Sequence, residues 1–503
     1  VREYTLEIRE AFTKGLRPES KMRHGAPFLT TCDYAKPTQH GLWSSYAVEE
    51  AFAASEFDDW PFPQLFRGSE FTLLMDETVI STVDESGDPW TLTPITTYCL
   101  RADDVTDEIE AGGVWKMIDF GPTFIMLNGV CSVIRDNRYA MVGGSTKVLI
   151  DTAVPIQAGC AFRGRAIFGG FDPAGVWPDA WDTIFDTWLS ASPTSVDYAN
   201  MDIGENFVLW SPIGSYMLAL YVPPDDPVSL MRQNQFGFLP MSWQGTVYDI
   251  RPLGDRLMVY GENGIAVMTP VQEPISTFGR EDLMGIGVAG RGAVGGDGDM
   301  HVFIDAEGDL WQITKDLALS RLGYAEYLAD FIGQEISISL DQQRREFYIC
   351  GEASNDDKLS YVLTPSGLGT SRQQITSMVA AEGTLYGVWA DDSGTVVTAV
   401  SDEVDFRYRD MKTVTTIEVG IKTAQDVHVQ AYYCNDATDV WTGDGWVLVN
   451  TEGFARVQIT ALKFRIGVKV ASYAALELDY VTVHWQPSGR RTVRGLSASQ
   501  ADQ

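Results

Sequence analysis

The sequence predicts an all-β chain, a β-propeller of about seven or eight blades set between an extended N-terminal arm and a C-terminal β-sandwich. Three observations predict it. A tight-turn signature recurs along the chain, hairpin signals return at intervals of roughly 40 to 50 residues, and strict apolar/polar alternation takes over after about residue 403.

The turn signature is clearest in Asp305-Ala306-Glu307-Gly308-Asp309-Leu310-Trp311, where it follows the apolar Phe303-Ile304, and it returns as Asp84-Glu85-Ser86-Gly87-Asp88-Pro89-Trp90. In each, Asp is expected to bond its own backbone, Gly to take positive φ, and the aromatic to resume a pleated strand. Weaker copies are Val388 to Gly394, before Thr395 to Val400, and Tyr260 to Gly264, before Ile265 to Met268. One hairpin is marginal in water, but blades packed radially bury one another's faces.

Residues 1–64 carry turn signals rather than periodicity: Gly15-Leu16-Arg17-Pro18, Gly25-Ala26-Pro27, Lys36-Pro37 and Trp60-Pro61-Phe62-Pro63. Short strands are expected at Tyr4 to Ile8 and Trp43 to Val48. The segment reads either as an arm laid across another surface or as a tail packed on its own domain.

Residues 65–402 hold the hairpins. They are Phe66 to Val83, Phe124 to Ile134 with its Asn128-Gly129 turn, Cys160 to Phe171, Phe207 to Val222, Val247 to Met268, Met300 to Ile313, Ile336 to Leu363 and Met378 to Val400. A Trp-rich stretch, Asp172 to Asn200 with Trp177, Trp181 and Trp188, reads as an insertion between blades.

Residues 403–487 alternate apolar with polar in five runs, beginning at Thr416, Asp426, Ala455, Phe464 and Leu476. Period two marks half-buried antiparallel strands, hence a sandwich. Residues 488–503, with Arg490, Arg491 and Arg494 among Ser and Gly, read as a disordered tail.

Composition narrows the function. At 503 residues, 45% hydrophobic and with 14 Trp, the chain can fill more than one core. A net charge of −32 argues against a general nucleic-acid-binding surface, which needs clustered Lys and Arg. It suits solubility, and it suits a duct whose wall repels phosphate. The six Cys lie apart without a CxxC and read as buried reduced thiols. No signal-peptide pattern and no run of eighteen apolar residues is seen, so no membrane-spanning segment is expected.

Reactive motifs are few. Gly285-Ile286-Gly287-Val288-Ala289-Gly290 satisfies Gly-x-Gly-x-x-Gly, but the glycine-rich Arg291 to Gly296 that follows cannot sustain the helix a dinucleotide needs; close backbone packing explains these glycines better. His24, His40, His301, His428 and His484 never stand at metal-ligand spacing. Asp103 to Glu110 carries five acids in eight residues without the glycine turn of a calcium loop, and reads as an exposed acidic loop. No catalytic, cofactor-binding or metal-binding residue is expected, and no enzymatic activity.

Certain segments carry a resemblance: Gly15 to Pro18, Ala26-Pro27-Phe28 and Gly41-Leu42; Trp60 to Gly68; Trp115 to Asn128; Cys160 to Arg165; and Asp405-Phe406-Arg407-Tyr408-Arg409-Asp410. In these segments and in the order of its parts, the chain resembles the tail hub or nozzle proteins of tailed bacteriophages, including the packaged-DNA stabilisation proteins of short-tailed phages. The resemblance implies a structural virion protein that self-assembles as a ring, a hexamer, below the portal or adaptor protein and beside other tail proteins or fibres. The ring would continue and close the channel through which double-stranded DNA passes without specific binding. The alternative is a carbohydrate-binding or glycan-cleaving propeller acting as a tail-associated receptor binder, with Trp177, Trp181 and Trp188 beside Asp172, Asp179, Asp182 and Asp186 as its candidate surface.

Overall fold

The computed structural model describes residues 2–19, 27–45, 49–50, 62–68, 71–86, 90–95, 109, 111–121, 123–130, 132–136, 156–171, 204–211, 213–214, 237–271, 278–352, 358–371, 373–381, 384–392, 396–423, 425–435, 440–470 and 476–488. These residues are almost entirely β, arranged as seven small sheets and two larger ones.

The small sheets follow one another along the chain, and six are antiparallel meanders. Gln64–Arg67, Thr72–Met75, Ile80–Asp84 and Thr91–Pro94 form the first, and Lys116–Asp119, Thr123–Leu127 and Ser132–Asp136 the second. The third is Ile156–Phe162, Arg165–Phe171, Phe207–Trp210 and Gly237–Pro240; the fourth is Val247–Leu253, Arg256–Gly261, Ile265–Pro270 and Phe278–Met284. Val294–Gly296, Met300–Ile304, Leu310–Thr314 and Leu319–Gly323 make the fifth, and Ile336–Asp341, Glu346–Glu352, Lys358–Thr364 and Gly367–Thr370 the sixth. In the seventh, Gln373–Ala381 pairs with Thr384–Asp392, to which Glu49–Glu50 adds in parallel.

Local turn chemistry accounts for the meanders. Leu127 opposes Ser132 across the Asn128-Gly129 turn, where Gly129 has φ 91° and the Asn128 side chain accepts from the Val130 N–H. Phe162 opposes Arg165 across Arg163-Gly164, both at positive φ. In the Asp305 turn one carboxylate oxygen accepts the N–H groups of Glu307 and Asp309, the other accepts Trp311 Nε1 at 2.7 Å, and Gly308 sits at φ 88°. In the Asp84 turn the carboxylate accepts the Ser86 N–H.

The structure departs from the sequence reading in three places. Phe207–Trp210 does not begin a further sheet: it pairs with Arg165–Phe171, so the third sheet absorbs two expected hairpins and the small sheets number seven. The Trp-rich stretch therefore joins two neighbouring strands of one sheet instead of separating blades; residues 172–203 themselves lie outside the described residues, as do 212 and 215–222 of the expected Phe207 hairpin. Val397–Ser401 does not return along Thr384–Asp392. It crosses to a larger sheet, between Leu29–Asp33 and Lys463–Val470, where both of its edges are paired.

The two larger sheets weave both ends of the chain together. In one, Ala35–Pro37, Leu42–Ser44, Glu477–Pro487, Lys412–Lys422 and Phe454–Ala461 pair in that order, and Tyr4–Ile8 also pairs with Glu477–Pro487. In the other the order is Leu29–Asp33, Val397–Ser401, Lys463–Val470, Val427–Cys434 and Thr442–Gly443, with Val447–Leu448 also on Val427–Cys434. All five runs expected after residue 403 are strands of these sheets. The N-terminal segment contributes strands to both, so its described part packs on its own chain. Its Phe12, Leu16 and Leu29 share one apolar cluster with Phe303 and Phe347 of the small sheets, with Phe331 of the short helical turn between the fifth and sixth, and with Phe464 and Val483 of the larger ones.

Candidate functional site

The first strand of every small sheet reaches a single cavity of about 380 Å³, represented in turn by Gln64, Lys116, Cys160, Asp249, Val294, Ser337 and Thr376. The first strands of the second and third, third and fourth, fifth and sixth, and sixth and seventh sheets pack on each other, and that of the seventh packs on that of the first. Side-chain to backbone hydrogen bonds tie this last junction. Thr376 Oγ1 donates to the Pro63 carbonyl at 2.6 Å and Ser377 Oγ to Leu65 at 2.7 Å, while Gln64 Nε2 donates to the Thr376 carbonyl at 3.3 Å. From the sixth sheet, Ser337 Oγ donates to the Thr376 carbonyl at 2.6 Å.

Glycines let the strands converge. A Cβ on Gly292 would lie 1.9 Å from the Ile336 carbonyl oxygen, and one on Gly287 would lie 2.0 Å from that of Glu262. Of the Gly-x-Gly-x-x-Gly stretch only Gly287 serves backbone approach, since a Cβ on Gly285 or Gly290 would meet nothing within 4 Å, and the stretch leads into the strand Val294–Gly296 rather than a helix.

The charged groups of the cavity form one cluster. Asp249 and Arg251, two residues apart, project from the same face of Val247–Leu253. Lys116 Nζ, from the second sheet, lies 2.7 Å from Asp249 Oδ2 and donates to the Tyr248 carbonyl at 2.9 Å. Arg251 Nε donates to Asp249 Oδ2 at 3.0 Å, and the Ile250 N–H donates to the other oxygen. Burial alone would raise the Asp249 carboxyl, but Arg251 and Lys116 hold it well below the usual carboxylate range. Burial pulls the Lys116 ammonium down to about 7, with Asp249 opposing and Arg251 and Arg291 adding to the shift.

Next to this cluster lies a buried neutral pair. The Pro252 carbonyl can only accept, so His301 Nε2 carries the proton and donates to it at 3.1 Å; Nδ1 then accepts the Tyr260 hydroxyl at 2.8 Å. Desolvation lowers His301 to about 4 and raises the Tyr260 phenol well above its ordinary value, so both are neutral near pH 7.

Asp249 is the one carboxylate among the described residues that line the cavity, and it is fully engaged, whereas a glycosidase needs two placed carboxyls. Of the sequence candidates, Asp103 to Glu108 and Glu110 lie outside the described residues, as do the Trp-rich stretch and His24. His40, His428 and His484 lie apart from the cavity lining. No cluster of three or more His, Cys, Asp or Glu is placed to hold a metal among the described residues, and no helix there is long and apolar enough to cross a membrane. Sequence reading missed the Lys116, Asp249 and Arg251 cluster. Its available signal was charge inside apolar strands, in Trp115-Lys116-Met117 and in Asp249-Ile250-Arg251.

No protein-family model matches the chain, and no curated protein matches it. Among solved structures it is similar to PorZ, a bacterial surface component of the type-IX secretion system of Porphyromonas gingivalis (10% identity, 71% of this chain, TM-score 0.33). It spans only 42% of that protein. It is similar also to an exo-β-1,3-galactanase from Phanerochaete chrysosporium (10% identity, 77% of this chain and 99% of that one, TM-score 0.30). A third is a functionally unknown protein from Desulfotomaculum acetoxidans (11% identity, 66% and 90%, TM-score 0.32). At such scores these likenesses bear on neither partner nor reaction.

Proposed function

We propose that the seven small sheets are the blades of a seven-bladed propeller, and that the chain is a structural, non-enzymatic subunit of a ring-shaped tail hub or nozzle. The observation that carries this reading is the continuity of the core. Strands from residues 4–50 complete both larger sheets and the seventh small one, and a single apolar cluster runs through all three parts of the chain. Such interlocking favours a body that transmits load rather than one that hinges between domains. The charge of −32 supports a lumen that does not retain DNA. In this reading six copies form the ring, portal or adaptor and other tail proteins are its neighbours, and double-stranded DNA passes through the assembly's lumen, not along the cavity of one propeller.

Light scattering on the purified chain, with negative-stain images of the same fraction, tests the proposal. Ring-shaped particles with a central hole are expected. A monomer at every concentration that also binds selectively on a glycan array would replace this reading with the receptor-binding one.

A further inference from the structure

The cavity where the first strands meet carries more positive than negative charge, in a protein whose net charge is −32. Lys116 and Arg251 line it with Asp249 as their shared counter-ion, and Arg291 stands near enough to shift Lys116. Among the described residues Arg251 bonds only Asp249, through Nε, which leaves both terminal nitrogens of its guanidinium unengaged; its side chain is 31% exposed. A guanidinium edge in a partly desolvated cavity is a strong oxyanion partner.

The part of the lining contributed by the first and sixth sheets has the reverse character. The hydroxyls of Ser337 and Ser339 spend their hydrogens on the Thr376 and Ile375 carbonyls, at 2.6 and 3.3 Å, and Gln64 spends its amide hydrogens on the Phe62 and Thr376 carbonyls and on Ser337 Oγ, which keeps a second lone pair. Each therefore offers only oxygen lone pairs to the cavity. A ligand that suits both parts of the lining has an oxyanion at one end and donating hydroxyls at the other.

We propose that this cavity binds a small hydroxylated anion, a sugar acid or sugar phosphate, with its oxyanion on Arg251 and Lys116 and its hydroxyls toward Gln64, Ser337 and Ser339. The volume of about 380 Å³ is in the range of small-molecule sites. The remaining titratable neighbours do not compete, because the Cys160 thiol is pushed up by burial and His301 is neutral near pH 7. Binding holds Lys116 protonated, so the complex takes up a proton and weakens as pH rises past 7.

Isothermal titration of the full chain at pH 6.5 with glucuronate, with glucose 6-phosphate and with neutral glucose tests the proposal. Saturable binding of at least one anion is expected, with none for glucose, and with proton uptake seen as a dependence of the heat on buffer ionisation. Arg251→Gln leaves Asp249 its Lys116 and Ile250 partners and is expected to weaken the anion at least about tenfold. Arg251→Lys keeps the charge and is expected to lose less; it also serves if the glutamine variant does not fold. Failure of both anions to bind the wild type, equal binding of glucose, or undiminished binding in a folded Arg251→Gln variant would overturn the proposal.

Discussion

Lys36 Nζ lies 2.7 Å from Glu346 Oε2, with both side chains less than a tenth exposed. The lysine stands in Ala35–Pro37, at the edge of a larger sheet, and the glutamate in the second strand of the sixth small sheet, so this ion pair fastens the N-terminal segment to the small sheets. The Tyr348 hydroxyl also donates to Glu346 at 3.3 Å.

Breaking one side of that pair strands the other charge in the core. Lys36→Met is expected to cost about 3 to 5 kcal/mol, read as a lower urea midpoint, whereas Lys36→Met with Glu346→Leu is expected to recover much of the loss. A double variant no more stable than the single one would show that the pair acts through something besides charge compensation.

The N-terminal segment is expected to be indispensable to folding. Deleting residues 1–33 uncovers an edge of Glu477–Pro487 and an edge of Val397–Ser401 and removes Phe12, Leu16 and Leu29 from the core. Unpaired edges of this kind template aggregation. The soluble fraction after expression is the readout, and a soluble product with an unchanged melting temperature would contradict the strand assignments.

Acid should act through His301. Its folded value of about 4 lies below the ordinary 6.5, so between these two values the unfolded chain binds the extra proton. Stability therefore falls as pH drops through that window, by up to about 3 kcal/mol from this residue. Urea titrations at pH 7 and pH 4.5 on wild type and His301→Gln measure it. The variant is expected to be weaker at pH 7, through loss of the Tyr260 and Pro252 bonds, and flatter with pH; an equal pH slope in both would assign the acid sensitivity elsewhere.

The two Asp turns share a motif but not a burden. Asp305 is 1% exposed and accepts three hydrogen bonds, so Asp305→Ala is expected to cost about 2 to 4 kcal/mol in chemical denaturation, by leaving the Asp309 N–H and Trp311 Nε1 short of partners. Asp305→Asn keeps an oxygen for the two backbone donors but loses Trp311, and should fall between. Asp84 is exposed, and Asp84→Ala is expected to lose clearly less.

How much of this was legible in the sequence depended on the range of the interaction responsible. Asn128-Gly129 and the Asp305 turn close hairpins with groups a few residues apart, so turn chemistry alone identified them. Period two alone likewise marked the strands after residue 403. Alternation says that a strand has a buried face, but it does not say which edge the strand will meet. Only the tertiary structure decided that Phe207–Trp210 stays with Arg165–Phe171, that Val397–Ser401 leaves the small sheets, and that Tyr4–Ile8 and Leu29–Asp33 belong to sheets built from the other end of the chain. The cavity was hidden for the same reason. Lys116 and Asp249 have no local relationship, and they meet because convergence of the first strands places a buried cation where a buried carboxylate can neutralise it.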